Sequence, residues 1–498
     1  GAGRGPLIRL LLIENLLLAI GGGIAGLALA YASVRLWNSL PMPTDLPIDL
    51  GVQLDRRVLL FTAGVSILST FLFGLAPALR TTRPDLVPAL KATDGVASSS
   101  KKRGRLWGRN LLVGGQVALS LVLLIVSAVL VEGFRADLDR GPGFRIDRLF
   151  LTSLNASLVR YTDSETQQFY KRLLDKTRFA PDVESAALAS SVPLAIGAAQ
   201  VGVVPEGYQL KRGQEAITVF DNIVSDGYFE TMGIQIIQGR SFLESDQANT
   251  PAVAVVNEQF AEHYWAGRSP VGKRFRLQNA SGKPVEVVGV AKMTKYLSVS
   301  EAPLDFVYLP FTQNQQPQMT LIAKSKSPDP TVLKPVVRRV IQEIDRNMPV
   351  FDARSMKDIY ENRTVKTSNV INEIVAALGV MGLILAVIGL YGLIAYSVSR
   401  RTREIGIRMA IGADRPIVLG MVLRQGLTLG LAGIAVGLPI GILACRAINS
   451  IQFLRLGRVG VLPFLVVSVL LLLTTAGATY LPARGAARID PMRALREE

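Results

Sequence analysis

The apolar and polar positions of the chain fall into long uncharged stretches joined by short basic connectors, with one long mixed segment in the middle. Six stretches are free of charge over roughly bilayer length: about Leu16 to Val34, Val58 to Leu79, Leu111 to Val131, Ile374 to Val398, Gln425 to Cys445 and Val459 to Ala483. About 20 helical residues cross about 30 Å of hydrocarbon, so each stretch predicts a transmembrane helix. The first is expected to start near Leu7, with Arg9 and Glu14 in its opening turns. Glycines recur at 21, 22, 23 and 26 in the first span and at 426, 430, 433, 437 and 441 in the fifth. They predict close helix approach, against the plainer fact that glycine is common in membrane helices.

Charge sets the orientation. The connector Arg80 to Arg109 carries Arg80, Arg83, Lys91, Lys101, Lys102, Arg103, Arg105 and Arg109 against Asp85 and Asp94, which places it on the cytoplasmic side. Crossing at Leu111 to Val131 then puts Glu132 to Asn372 outside, and the next crossing returns Arg400 to the inside together with the C-terminus. Arg455 and Arg458 dissent from an outside loop, where this rule gives charge less weight.

The outside segment predicts a mixed α/β domain of one or two lobes. Leu149 to Asn155 alternates as a strand, and Thr162-Asp163-Ser164-Glu165 is a capping box for a helix with Phe169 and Leu173 on one face. Val253 to Val256, Val285 to Val290 and Phe306 to Leu309 predict short strands; Leu333, Val337, Ile341 and Ile344 mark a second amphipathic helix. Lys357 to Asn372 leads back to the membrane.

An internal repeat organises the ends. Pro77 to Leu90 aligns with Pro482 to Leu495 at an offset of 405, sharing Pro, Ala, Arg, Asp, Ala and Leu. Gly1-Ala2-Gly3-Arg4 aligns with Gly412-Ala413-Asp414-Arg415 at an offset of 411, and Leu12, Leu16, Leu18, Gly22 and Gly26 meet Leu423, Leu427, Leu429, Gly433 and Gly437. The expected organisation is an incomplete first half at 1–95, a flexible basic linker at 96–109, a span at 110–132, the outside domain at 133–370 and a complete second half at 371–498. Residue 1 begins where the counterpart of the Arg400 stretch would end, and it is not Met, so a preceding segment is expected.

Composition narrows the chemistry. At 498 residues and 49% hydrophobic, the chain is too long for one ordinary domain and too apolar for a simple soluble enzyme. Its net charge of +16 gathers at span ends and connectors, so membrane lipid is the expected counterion and nucleic acid is not an expected partner. The single cysteine, Cys445, lies in a span, and His263 is the single histidine, which excludes an intramolecular disulfide and a Cys- or His-rich metal site. Gly267 to Arg274 nearly spells a phosphate-binding loop, but its last position is Arg where Ser or Thr would hold Mg²⁺ and a strand follows it, so a turn is expected. Glu14, Asn372 and Glu373 border spans, where an ion relay competes with pairing at the interface. No catalytic, cofactor or metal site is expected on this chain.

Arg400 to Ala413 is the connector with the most to explain. Its arginines anchor the cytoplasmic side, yet Ile405, Ile407, Met409 and Ile411 predict an apolar face on a polar connector, as on a surface helix that docks a cytoplasmic partner. Anchor and dock both stand at this point.

The motif Arg-Glu-Ile-Gly-Ile-Arg-Met-Ala-Ile-Gly-Ala at Arg403 to Ala413, with Ala-Arg-Ile-Asp-Pro-Met-Arg-Ala-Leu-Arg at Ala487 to Arg496, resembles the FtsX-like permease family of bacterial ABC transporters, which includes the MacB macrolide exporter and lipoprotein-releasing permeases. The outside segment is similar to the MacB-type periplasmic core at Tyr228 to Ile234, Gly239-Arg240 and Val255 to Glu258. The layout looks like the duplicated acidobacterial-type permeases, without their first span and first periplasmic domain. The resemblance implies a multi-pass protein of the bacterial cell inner membrane, a six-span α-helical bundle with a large α/β periplasmic domain, whose halves work as a pseudo-dimer. It implies a separate cytoplasmic ABC ATPase holding ATP and Mg, with no cofactor on this chain, and a coupling helix formed by Arg403, Glu404, Ile405, Gly406, Ile407, Arg408 and Met409, closed by Gly412 and Ala413. Efflux or export by mechanotransmission, with a periplasmic adaptor and an outer-membrane channel, is the implied function. A transmembrane signalling or scaffold protein acting on a cell-wall hydrolase is the alternative, and an ion-coupled carrier a third.

Overall fold

A computed structural model describes residues 4–39, 53, 55–81, 99–195, 198–450 and 460–487. The chain divides into two units, Gly1–Gly108 and Arg109–Glu498. In the first, helix α1 (Arg4–Ser39) packs against α2 (Arg56–Thr81). Leu17, Ile24 and Leu29 of α1 are exposed, as side chains are on a helix whose solvent is lipid.

Among the described residues five helices are long and apolar enough to cross a membrane: Ala19–Leu36, Val113–Arg140, Met356–Ser399, Arg415–Asn449 and Leu462–Ala486. The expected sixth, Val58 to Leu79, falls within α2 and is not among them; its side chains from Ser69 on lie outside the described residues. The basic linker also departs from expectation. Residues 91–98 lie outside the described residues, but from Ser99 the chain is already helical, as the start of α3 (Ser99–Arg140). Lys, Arg and Leu are good helix formers, and extending a helix already nucleated in the span costs far less than starting one. The Arg455 and Arg458 loop and the terminal motif beyond Ala487 lie outside the described residues.

The domain between the spans is built on eleven strands: β1 (Leu149–Asn155), β2 (Val183–Ala189), β3 (Ala199–Pro205), β4 (Ile217–Val224), β5 (Ile236–Gly239), β6 (Val253–Asn257), β7 (Arg274–Leu277), β8 (Pro284–Ala291), β9 (Phe306–Pro310), β10 (Gln318–Ser325) and β11 (Val350–Ser355). Their order is β11-β1-β10-β2-β4-β3-β7-β8-β6-β9, with β5 on β8. Because β9 also pairs β4 in parallel, β4, β3, β7, β8, β6 and β9 form a closed cycle. Two lobes result, a four-stranded ladder and a six-stranded ring, joined in the sheet by the single pair Ala189 and Val224.

Alternation along the strands feeds two cores. On β1, Phe150 and Leu154 face the core that holds Phe169 and Leu173 of α4 (Asp163–Arg178), whereas Leu149 and Leu151 face the core that holds Tyr228 and Phe229 of α5 (Tyr228–Met232). The predicted capping box is formed: Glu165 N donates to Thr162 Oγ1 at 3.3 Å, and Thr162 N donates to Glu165 Oε2 at 2.8 Å. Two further helices complete the layers, α6 (Glu258–Trp265) and α7 (Leu333–Ile344), the latter burying the expected Leu333, Val337 and Ile341.

Both membrane connections leave from neighbouring strands. Gly141 and Gly143, with φ of 72° and 83°, turn the chain from α3 towards β1; a Cβ on Gly143 would lie 2.6 Å from Met293 O. After β11, Ser355 caps α8 (Met356–Ile359), whose Met356 and Ile359 are buried in the domain core. A π-helical segment, Tyr360–Lys366, then runs without a break into α9 (Thr367–Arg400).

The remaining spans are α11 (Arg415–Asn449) and α12 (Leu462–Ala486). Glycines decide their packing, as expected. Gly426 and Gly430 of α11 lie on Thr479 and Thr475 of α12, while Gly433 and Gly437 lie on Val117 and Ala118 of α3. Gly379 and Gly382 of α9 sit over Leu124 and Ser120 of α3.

Candidate functional site

Between α9 and α11 the connector folds into a short helix, α10 (Thr402–Ala410). Arg401 N donates to Val398 O at 3.0 Å, and the new helix opens with Ile405 N donating to Arg401 O at 2.8 Å. It closes on a Schellman turn: Ala413 N donates to Arg408 O at 2.9 Å, Gly412 N donates to Met409 O at 3.1 Å, and Gly412 takes φ of 104°. Glycine at this position has a stated cause, since a Cβ is disfavoured there.

α10 has two faces. Inward, Ile405 is 2% exposed in a cluster with Leu390, Leu393, Ile394, Val418 and Val422, Gly406 is buried, and Met409 packs partly buried on the same cluster. Outward, Glu404 Oε1 accepts from Arg408 Nη2 at 2.7 Å, and Arg408 Nη1 also donates to Met421 Sδ at 3.1 Å. Ile407 and Ile411 stand exposed beside that pair, Ile411 at 82%. The side chain of Arg403 lies outside the described residues.

This corrects the single apolar face expected from Ile405, Ile407, Met409 and Ile411. Residues two apart lie on nearly opposite sides of a helix, whereas residues four apart share one. Ile405 and Met409 therefore point into the bundle, and Ile407 and Ile411 point away. Of the residues the resemblance assigns to coupling, Glu404, Ile407 and Arg408 reach the outer face, and Ile405 and Gly406 seat the helix. The most exposed apolar side chain, Ile411, was not among them. Its spacing of four from Ile407 was the signal in the sequence.

The phosphate-loop look-alike and His263 have structural roles. The phosphate-loop look-alike is a turn between α6 and β7, with φ of 71° at Gly267 and 84° at Gly272. His263 bonds Asp305 Oδ2 through Nδ1 at 3.0 Å and stacks on Tyr264. Among the described residues no group of three His, Cys, Asp or Glu side chains could hold a metal ion. Asp221 on β4 is buried, and burial pushes its carboxyl up to about 6.

Comparison with known proteins accounts for this arrangement. Residues 116–338 match the MacB-like periplasmic core domain, and residues 1–86 and 376–491 both match the FtsX-like permease C-terminal domain, which confirms the internal repeat. The chain is 29% identical over 292 residues to the macrolide export ATP-binding/permease protein MacB 2 of Aeromonas hydrophila, covering 55% of this chain and 43% of that protein. It is 26% identical over 308 residues to the ABC transporter permease YknZ of Bacillus subtilis, covering 60% and 75%. The match to the pyoverdine export protein PvdT of Pseudomonas putida is 27% identical and covers 40% of that protein, so the chain spans less than half of the length of two of these three relatives. Among solved structures, the periplasmic region of MacB from Actinobacillus actinomycetemcomitans aligns at 15% identity and a TM-score of 0.31, over 45% of this chain and 94% of that one. The two membrane segments thus carry the FtsX-like permease domain and the segment between them the MacB-like periplasmic core domain, so the chain belongs with the FtsX-like permeases that hold such a core, and its relatives are ABC permeases of the MacB/YknZ type.

Proposed function

We propose that the chain is the permease subunit of an export system in the bacterial inner membrane, and that α10 is the element through which a separate cytoplasmic ATPase, carrying ATP and Mg, drives it. The observation that carries this reading is the division of labour on α10. Ile405, Gly406 and Met409 fix it to the bundle, while Glu404, Arg408, Ile407 and Ile411 present a mixed charged and apolar face to a partner. A helix seated on one side and open on the other passes a push from its partner to α9 and α11. Relatives named for macrolide and pyoverdine export support the export role. A periplasmic adaptor and an outer-membrane channel would receive the motion outside, with the two halves acting as a pseudo-dimer.

The test is co-purification of the cognate ATPase with Glu404→Arg, Arg408→Glu and Ile411→Asp variants, whose native side chains are exposed on the outer face of the connector. ATPase recovery should fall to background for Ile411→Asp and drop sharply for each charge reversal. Full recovery on all three removes α10 from the interface.

A second reading shares the same motion: a signalling or scaffold protein that regulates a periplasmic partner such as a cell-wall hydrolase. The continuity of α9 with the π-helical segment and α8 serves it equally, because it ties the bundle directly to the periplasmic core. A hydrolase captured on the periplasmic domain, in place of an adaptor and channel, selects this reading.

A further inference from the structure

From Met356 to Arg400 the chain runs as one continuous helical rod, and two seats fix it. At the domain end, Met356 and Ile359 of α8 are buried in the core, 0% and 5% exposed. At the bundle end, Gly379 and Gly382 of α9 lie on Leu124 and Ser120 of α3. Each seat is a pair of residues three apart, so each depends on which side of the rod that pair faces. In an unbroken α-helix, one residue more or less between the seats would turn one pair about 100° away from its partners.

The π-helical segment Tyr360–Lys366 lies between these seats. A π turn closes on the fifth residue back instead of the fourth, so it holds one residue more than an α turn. Side chains support the wide winding. The Thr367 hydroxyl donates to Asn362 O, five residues back, at 3.3 Å, and Lys366 Nζ donates to Asn362 Oδ1 at 2.7 Å. Asn362, Thr364 and Val365 are also weaker α-helix formers than Leu or Ala. No glycine or proline lies between Met356 and Leu378, so the wide turn is not a break at such a residue. Its cause is the pair of seats. Rewinding the segment as an α-helix in place would count one residue more and pull either Met356 and Ile359 or Gly379 and Gly382 off their partners.

We propose that Tyr360–Lys366 stores one surplus residue between the two seats, and that this surplus travels along the stalk. As the wide turn passes down the rod, each residue it leaves behind turns by about 100° and shifts by about 1.5 Å along the axis, while both seats keep their partners. The section it sweeps runs from Thr367 to Glu373, above the apolar part of α9. That section of the stalk therefore has two rotational settings for one position of the domain and one position of the bundle. The inference concerns the stalk alone and does not rest on the coupling role of α10.

Single-residue deletions in the full chain, held in lipid nanodiscs, test it. With Cys445→Ala, Leu124→Cys and Gly379→Cys, disulfide formation reports the bundle seat, since a Cβ on Gly379 comes within 2.9 Å of the Leu124 side chain. Near-ultraviolet circular dichroism reports the domain core. Deleting Glu361, whose one ion pair is a 3.8 Å contact with Lys357, should leave both the crosslink and the spectrum at the level of the undeleted chain. Deleting Lys366 in its place should do the same, because a stored residue has no fixed identity. Deleting Glu361 and Asn362 together leaves the rod one residue short, and the crosslink should fall to background. Hydrogen exchange reads the movement: amides from Tyr360 to Glu373 should exchange about tenfold more slowly once Glu361 is deleted. Loss of the crosslink or of the spectrum on both single deletions overturns the storage of a residue. Slowing confined to Tyr360–Lys366, with Thr367 to Glu373 unchanged, overturns its travel.

Discussion

Phe260 and Gly437 occupy equivalent roles in different solvents. Phe260 of α6 is fully buried in the periplasmic core, its ring 4.6 Å from that of Tyr264 and 5.5 Å from that of Trp265. Gly437 of α11 is buried in the membrane bundle with a backbone carbonyl of α3 where its side chain would be. In water, large apolar side chains go inside because burial removes them from solvent. In lipid that drive is absent, and helices hold together by close approach, which selects small residues. The domain tolerates loss of volume poorly, and the bundle tolerates gain poorly.

Three substitutions sharpen this contrast. Phe260→Ala should destabilise the periplasmic domain by about 3–5 kcal/mol through the cavity it leaves, read from thermal unfolding of the purified protein by near-ultraviolet circular dichroism. A shift of a degree or less would mean that this core is not the close-packed one described. Asp221→Asn should act in the opposite sense. The buried carboxyl titrates at about 6 when folded against 3.8 unfolded, so between those values the folded state holds more protons. Stability from this group is therefore present at low pH, falls as pH rises from about 4 to about 6, and stays lost above. Removing the charge should add about 3 kcal/mol at pH 7 and flatten the slope over that window. An unchanged pH profile would show that Asp221 is solvated. Gly437→Ala, the addition of a single methyl group, should cost about 1–3 kcal/mol by overpacking, measured as loss of bundle stability in detergent. Neutrality there would break the comparison, because the same methyl group is harmless on a lipid-facing helix.

What could be read from the chain was what neighbours in sequence decide. The Thr162 to Glu165 box, the strand at Leu149 to Asn155 and the buried stripe of Leu333, Val337 and Ile341 depend on residues within a turn or two. The repeat was legible through its Pro, Arg and Asp spacing. The return of β9 to β4, which closes the ring, pairs Phe220 with Phe306 across a long loop that no local pattern encodes. On α10 the residue types are legible in the sequence but their geometry is not: a period of two reads as one face, and only the helical period separates Ile405 from Ile407. The helical run through Lys101 to Arg109 escaped because charge and serine suggest a linker, while helix extension from α3 decides the conformation.

The placing of β11 beside β1 has a mechanical meaning. The end of one strand and the start of the other, Ser355 opposite Phe150, carry the two stays that tie the domain to the bilayer. Axial sliding of α9 against α3 loads that ladder in shear, all of its hydrogen bonds together, whereas drawing the helices apart opens it from the membrane end one pair at a time. The joint is stiff to a piston stroke and compliant to splaying.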